Sequence, residues 1–122
     1  MNKRTFVTAM IAALMSLAGV AAAQEQAPAG DANAGHRIFK AVGCWECHGD
    51  VGQGGGFSGP RIGPSALPYA AFLQQLRTPQ NSMPPYEPKV LSDHDAANIY
   101  AYLKSLPKAQ PAKDIPLLSN LN

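Results

Sequence analysis

Cysteine is scarce in this 122-residue chain: Cys44 and Cys47 are the only two. A zinc site would need a second ligand pair, so the chain does not offer one. Charge is sparse as well, at 15% of residues with a formal net charge of +2. Lys3 and Arg4 lie in a candidate leader, and without them Arg37, Lys40, Arg61, Arg77, Lys89, Lys104, Lys108 and Lys113 face an equal number of acidic residues. Near neutrality gives nucleic acid binding no electrostatic support and makes long-range steering to a charged partner weak unless the charges are segregated. No internal repeat is visible, and the length allows one domain at most. The glycine-rich run from Gly49 to Pro64 follows no strand and ends in no G-K-[ST], which argues against a phosphate-cradling loop.

Long apolar runs are also missing, except at the start. Lys3 and Arg4 precede an apolar stretch from Phe6 to about Val20, and Ala21-Ala22-Ala23 supplies the small-x-small pattern of a signal peptidase site. The expectation is a secretory leader over residues 1–23, with cleavage after Ala23. A retained anchor competes, because the run approaches bilayer-spanning length, but its alanine-rich composition and Ala-x-Ala end favour removal. No cysteine stands at the cleavage point to carry a lipid. The remaining 99 residues can build only a small core, close to the size at which folding alone is marginal.

What is present is Cys44-Trp45-Glu46-Cys47-His48, a C-x-x-C-H sequence. This is the attachment pattern for covalent haem c. Cysteines three apart lie on the same side of one helical turn, so both sulfurs can add to the two vinyl groups of one porphyrin while His48 turns its imidazole towards the iron. A thioredoxin-like dithiol would need a βαβ context that is absent. The polypeptide without haem is expected to fold poorly, since a porphyrin would supply much of the apolar interior.

Residues 24–30 read as a lead-in. Asp31 is a good N-cap for a helix to about Val42, stopped by Gly43, with Gly35, Ile38, Phe39 and Val42 on one stripe. The Gly-Pro-rich stretch after the motif reads as a loop around an edge of the cofactor. Ala66 to Arg77 is a second helix candidate, with Tyr69, Phe72, Leu73 and Leu76 as its apolar face. Thr78 to Val90 carries four prolines and cannot be helical throughout. Ser92 with Asp95 forms a capping-box pattern for a last helix to about Ser105, packing through Ala96, Ile99, Tyr102, Leu103 and Leu106. The tail from Lys108 reads as extended, and its Ile115-Pro116-Leu117-Leu118 segment is apolar enough to lie against the body or a partner.

Met83 is the only methionine beyond the leader and sits in the proline-stiffened loop rather than on a core face. That placement makes it a candidate sixth iron ligand, against the alternative of a core methionine. His36 and His94 compete for the role, but they read as surface or helix-end histidines.

A first helix, the C-x-x-C-H turn, a Gly-Pro loop, a central helix, a Met-Pro segment and a capped last helix, in this order, resemble the bacterial class I, single-haem cytochromes c. The resemblance covers nearly all of Asp31 to Pro107. It implies an all-α cytochrome c fold of three to four short helices around one covalently attached haem, with residues 24–107 as the domain and 108–122 as a tail. It also implies that Gly35 and Phe39 on the first helix meet Ile99 and Tyr102 on the last, and that Pro60 of Gly59-Pro60 accepts a hydrogen bond from His48. Arg61 and Arg77 are candidate partners of the haem propionates, with solvated surface arginine as the alternative. Trp45 is compatible with packing on the porphyrin or with facing a partner.

The function implied is one-electron transfer on a His48/Met83-ligated haem c, not catalysis, by a soluble exported protein in the periplasm. Its partners would be a redox donor and acceptor such as a periplasmic dehydrogenase, a terminal oxidase or a reductase, without nucleic acid or stable membrane insertion. Rival readings are a cytochrome subunit of a periplasmic dehydrogenase complex and a five-coordinate haem enzyme or gas sensor.

Overall fold

The computed structural model describes residues 27–55, 59–65 and 67–119. The expected leader lies outside the described residues. Among those described there are helices and no strands, so the chain is all-α.

Helix α1 spans Ala32–Ala41. Asp31 caps it as its sequence suggests: the carboxylate accepts from the backbone N–H of Asn33 at 2.7 Å and of Ala34 at 2.9 Å. Those two bonds, Ala34 first, hold the Asp31 carboxyl below its ordinary value. Its contribution to stability is therefore present above the unfolded-state value and fades as pH falls through the depressed one. Gly43, at φ 81°, terminates the turn after α1, and α2 begins at once over Cys44–His48. A left-handed conformation of this kind favours glycine.

Helix α3 covers Tyr69–Arg77, starting later than the Ala66 expected from pattern. Pro68 explains the difference. It stands at ψ 150°, outside the helical region, and its ring disfavours helical geometry in Leu67 before it. Helix α4, Asp93–Ser105, begins where its cap signal stands. The Ser92 hydroxyl accepts from Asp95 N–H at 3.1 Å and donates to the Asp95 carboxylate at 2.8 Å. The aspartate side chain thus binds the capping hydroxyl itself rather than reaching the Ser92 N–H.

The tail corrects an expectation. Instead of being extended throughout, it forms a 3₁₀ turn at Ala112–Asp114 and a short helix, α5, at Pro116–Ser119. Helix α5 packs on that turn and on no other described element. Leu117 is 84% exposed, so the apolar segment does not lie against the body of the protein.

Helices α1 and α4 cross and provide the main tertiary contact of the fold. A Cβ placed on Gly35 would stand 1.9 Å from the Asn98 carbonyl oxygen, and one on Gly30 would stand 2.4 Å from that of Ala97. The backbones meet where side chains are absent. Phe39 packs on Tyr102 with centroids 5.6 Å apart, and Phe39, Ile99, Leu103 and Leu91 are the largest fully buried side chains. Asn98 is also buried, and its side-chain oxygen accepts the Asp31 N–H at 2.8 Å. A polar group on the packing face of α4 thereby satisfies a free donor at the start of α1.

Helix α3 joins this pair through aromatic contacts. Tyr100 meets Phe72 and Tyr69, each with centroids 5.3 Å apart. The tyrosine hydroxyls tie loops to the framework: Tyr100 donates to the Leu67 carbonyl at 2.7 Å, Tyr69 to Asp93 at 3.1 Å and Tyr102 to Asp50 at 3.3 Å.

Gly35→Val should therefore separate α1 from α4 and lower stability by about 3 kcal/mol or more, at the upper end of overpacking costs. Gly43→Ala, where no neighbour lies closer than 3.6 Å, should cost about 1–2 kcal/mol from its left-handed backbone alone. Denaturant unfolding of the two holo-variants measures the contrast, and equal losses would contradict the close-contact role of Gly35.

Candidate haem site

The attachment sequence folds as one short helical turn because Gly43 releases the chain from α1 and Gly49, at φ 78°, ends α2. Cys44 is buried, Cys47 is exposed, and neither is in a disulfide. Burial pushes the Cys44 thiol up, opposed by a hydrogen bond with Tyr86. Its thiolate fraction at neutral pH is correspondingly small.

His48 closes the same turn. Its Nδ1–H donates to the Pro60 carbonyl at 2.8 Å, which leaves Nε2 as the nitrogen available to a metal. Gly59 is what allows this approach. A Cβ there would stand 2.8 Å from the Cys47 carbonyl oxygen and 3.0 Å from His48 Nδ1. The intervening loop folds back on itself: Gly54 N–H donates to the His48 carbonyl at 2.8 Å, and Ile62 and Gly63 N–H share the Gly52 carbonyl at 2.8 and 2.9 Å.

A cavity of about 1290 Å³ opens beside this turn. Cys44, Cys47, His48, Pro60 and Met83, the five candidate residues, all line it. Phe39, Phe72, Leu76, Ile99 and Leu103 contribute apolar walls. Met83 is half-buried, and its sulfur accepts a weak hydrogen bond from the Gln75 amide at 3.7 Å. Of the other residues weighed in the sequence, Arg61 lines the cavity and donates to the Gly63 carbonyl at 2.9 Å.

The remaining candidates lie elsewhere. His36 is exposed on α1 and stacks on Tyr102 at 4.8 Å, and His94 is exposed at the start of α4 beside Asp95. Neither borders the cavity. Trp45 does not border it either; it is 39% exposed, with the Lys40 ammonium 4.1 Å above its ring. Arg77 turns from the cavity to the Tyr86 carbonyl, at 2.6 Å, and to the Asp93 carboxylate. It is a structural tie between α3, Tyr86 and α4.

Sequence patterns gave no role to Gln75, Tyr86 or Asn98. Tyr86 donates its hydroxyl to the Val42 carbonyl at 3.0 Å. Burial foremost, then the neighbouring Cys44, pushes its phenol up to about 12, so the group stays a proton donor at physiological pH. Its position three residues after Met83 was the only hint in the sequence, and the identity of its partners depends on the fold.

These residues fit haem c. The cavity exceeds the ~300–1,000 Å³ of pockets for drug-sized ligands, its walls are largely apolar, and two thiols and an oriented imidazole project from one turn. Residues 30–103 match the model of the family described as cytochrome c oxidase, cbb3-type, subunit III. No curated protein and no solved structure matches the chain. With the attachment turn, the cavity and a match over more than half of its length, the chain belongs to the cytochrome c oxidase, cbb3-type, subunit III family, and is an electron-transfer protein carrying covalent haem c.

Proposed function

We propose that the protein is a one-electron carrier in the periplasm, exported and relieved of residues 1–23, in which His48 and Met83 are the two axial ligands of the haem iron. The observation that carries this reading is the presence of both side chains in the lining of one cavity, together with the two cysteines. Haem c, when bound, supplies an iron that exchanges a single electron between Fe(III) and Fe(II).

The chain's own residues have distinct tasks. Cys44 and Cys47 form the thioethers, which hold the group permanently. His48 Nε2 would hold the iron, while the hydrogen bond from Nδ1–H to the Pro60 carbonyl fixes the ring and raises its basicity. Met83 provides a soft sulfur, which raises the potential relative to a second nitrogen ligand. Held by both side chains, the iron would offer no position to oxygen or peroxide, as a carrier requires and a five-coordinate enzyme or gas sensor does not.

The family description names an oxidase subunit, which favours a terminal oxidase complex as the redox partner over the dehydrogenase alternative. Among the described residues, no helix is long and apolar enough to cross a membrane. Size-exclusion of native extract distinguishes a free shuttle from a subunit of such a complex.

Met83→Ala should abolish the methionine-to-iron absorption band in the red part of the ferric spectrum. It should also open the reduced iron to carbon monoxide and lower the potential by on the order of 0.1 V, a fraction of the ~0.8 V that axial ligands span. An unchanged spectrum would remove Met83 from the ligand set. Replacing Cys44 and Cys47 together with alanine should leave haem extractable by acid and organic solvent; haem that stayed covalently attached would contradict the thioether assignment.

A further inference from the structure

Apart from the weak hydrogen bond from the Gln75 amide to the Met83 sulfur, the polar contacts that tie the Met83 segment to the helices among the described residues converge on Tyr86. Between the two residues stand Pro84 and Pro85, which have no N–H to donate and a nearly fixed φ. Tyr86 is therefore the first residue after Met83 whose backbone can both donate and accept. It does both. Its N–H donates to the Leu76 carbonyl at 2.8 Å, one of the acceptors left free at the C-terminal end of α3. Its carbonyl accepts from the Arg77 guanidinium at 2.6 Å.

Arg77 does more than complete that pair. A second nitrogen of the same guanidinium is in an ion pair with Asp93, the first residue of α4, and the arginine side chain is only 19% exposed against 70% for the aspartate. One planar group thus joins the end of α3, the Met83 segment and the start of α4. Lysine, with a single ammonium, cannot reproduce a fork of this kind.

We propose that Arg77 is a positioning residue for the sixth ligand: by clamping Tyr86 to α3 and α4 it fixes the short, proline-stiffened lever that presents the Met83 sulfur to the iron. The inference rests on the assignment of Met83 as axial ligand. Stiffness makes the clamp effective, because the two prolines leave little freedom between Tyr86 and Met83 in which a displacement could be absorbed.

The test uses the holo-protein with covalent haem and imidazole as the probe, since imidazole binds ferric iron only when the methionine leaves. Arg77→Gln should raise imidazole affinity by roughly tenfold or more, as expected for losing a charge-assisted hydrogen bond that favours the closed site, and should weaken the methionine-to-iron band. Arg77→Lys should restore at most part of the loss. Asp93→Asn, which spares the contact with Tyr86, should have a smaller effect. Lys89→Gln, in an exposed ion pair with Glu87 of the same segment, should leave imidazole affinity at the wild-type value.

Far-UV circular dichroism and denaturant midpoints are followed in parallel. Should Arg77→Gln fail to fold, Arg77→Lys and Asp93→Asn carry the measurement. Wild-type imidazole affinity and band intensity in every folded Arg77 variant would overturn the proposal, as would an equal response in Lys89→Gln. Failure of the underlying assignment is separate: it would appear as a wild-type protein without the methionine band, or as a band that survives Met83→Ala.

Discussion

Close approach of α1 to α4 is the contact on which the other parts of the structure depend. Two glycines with no space for a Cβ let the backbones touch, and Phe39, Ile99, Leu103 and Tyr102 fill the flanks. Every piece of the site is referred to that crossing. The attachment turn leaves α1 after only Val42 and Gly43, so its direction is inherited from α1. Asn98 on α4 binds the N–H of Asp31, so the beginning of α1 is fixed by the same partner. Asp93, the first residue of α4, pairs with Arg77, which also donates to Tyr86 in the Met83 segment. The cavity wall shares Phe39, Ile99 and Leu103 with this interface, so the packing that joins the helices also shapes the haem site.

Polar groups inside the structure act mainly as connectors between loops and helices. Tyr69, Tyr86, Tyr100 and Tyr102 each donate a hydroxyl to a carbonyl far away in sequence, while three of them bury most of the ring in the core. A hydroxyl–carbonyl bond of this sort adds only about 1 kcal/mol net. Its geometric effect is larger, because irregular segments with many glycines and prolines supply few backbone ladders of their own. The loop between His48 and Ile62 solves the same problem with its own backbone, through the paired bonds onto the Gly52 carbonyl.

Much of this organisation was legible in the sequence where the signal is local. Asp31, Gly43, Ser92 and the C-x-x-C-H turn encode their conformations within at most five residues, and each stands where the pattern places it. The stripe Gly35–Phe39 was legible for a different reason: a glycine amid apolar residues marks close packing whatever the partner. The start of α3 is less legible: the pattern puts Pro68 near the beginning of a helix from Ala66, whereas Pro68 stands just outside the helix, which begins at Tyr69. The tail reads as extended because its two prolines suggest interruptions, whereas Pro111 and Pro116 stand at the starts of short helical turns. Arg77 illustrates the harder limit. An arginine at a helix end is compatible with a propionate, a carboxylate or solvent, and only the tertiary position of Tyr86 and Asp93 decides among them.

The site is accordingly built on two kinds of information. Its attachment side is encoded by five consecutive residues and needs only one helical turn, so Cys44, Cys47 and His48 acquire their relative geometry as soon as that turn forms. The methionine side proposed for it has no such local determinant. Met83 lies 35 residues beyond His48, in a segment whose prolines forbid a helix, and its position follows from bonds to α3, to α4 and, through the Tyr86 hydroxyl, to Val42 just before the attachment turn. That last bond ties the segment that carries Met83 to the chain just before the turn that carries His48. Small reorganisation between oxidation states is what rapid electron transfer requires, and with the proposed pair of ligands it would depend on the connections around the cavity as much as on the groups that line it.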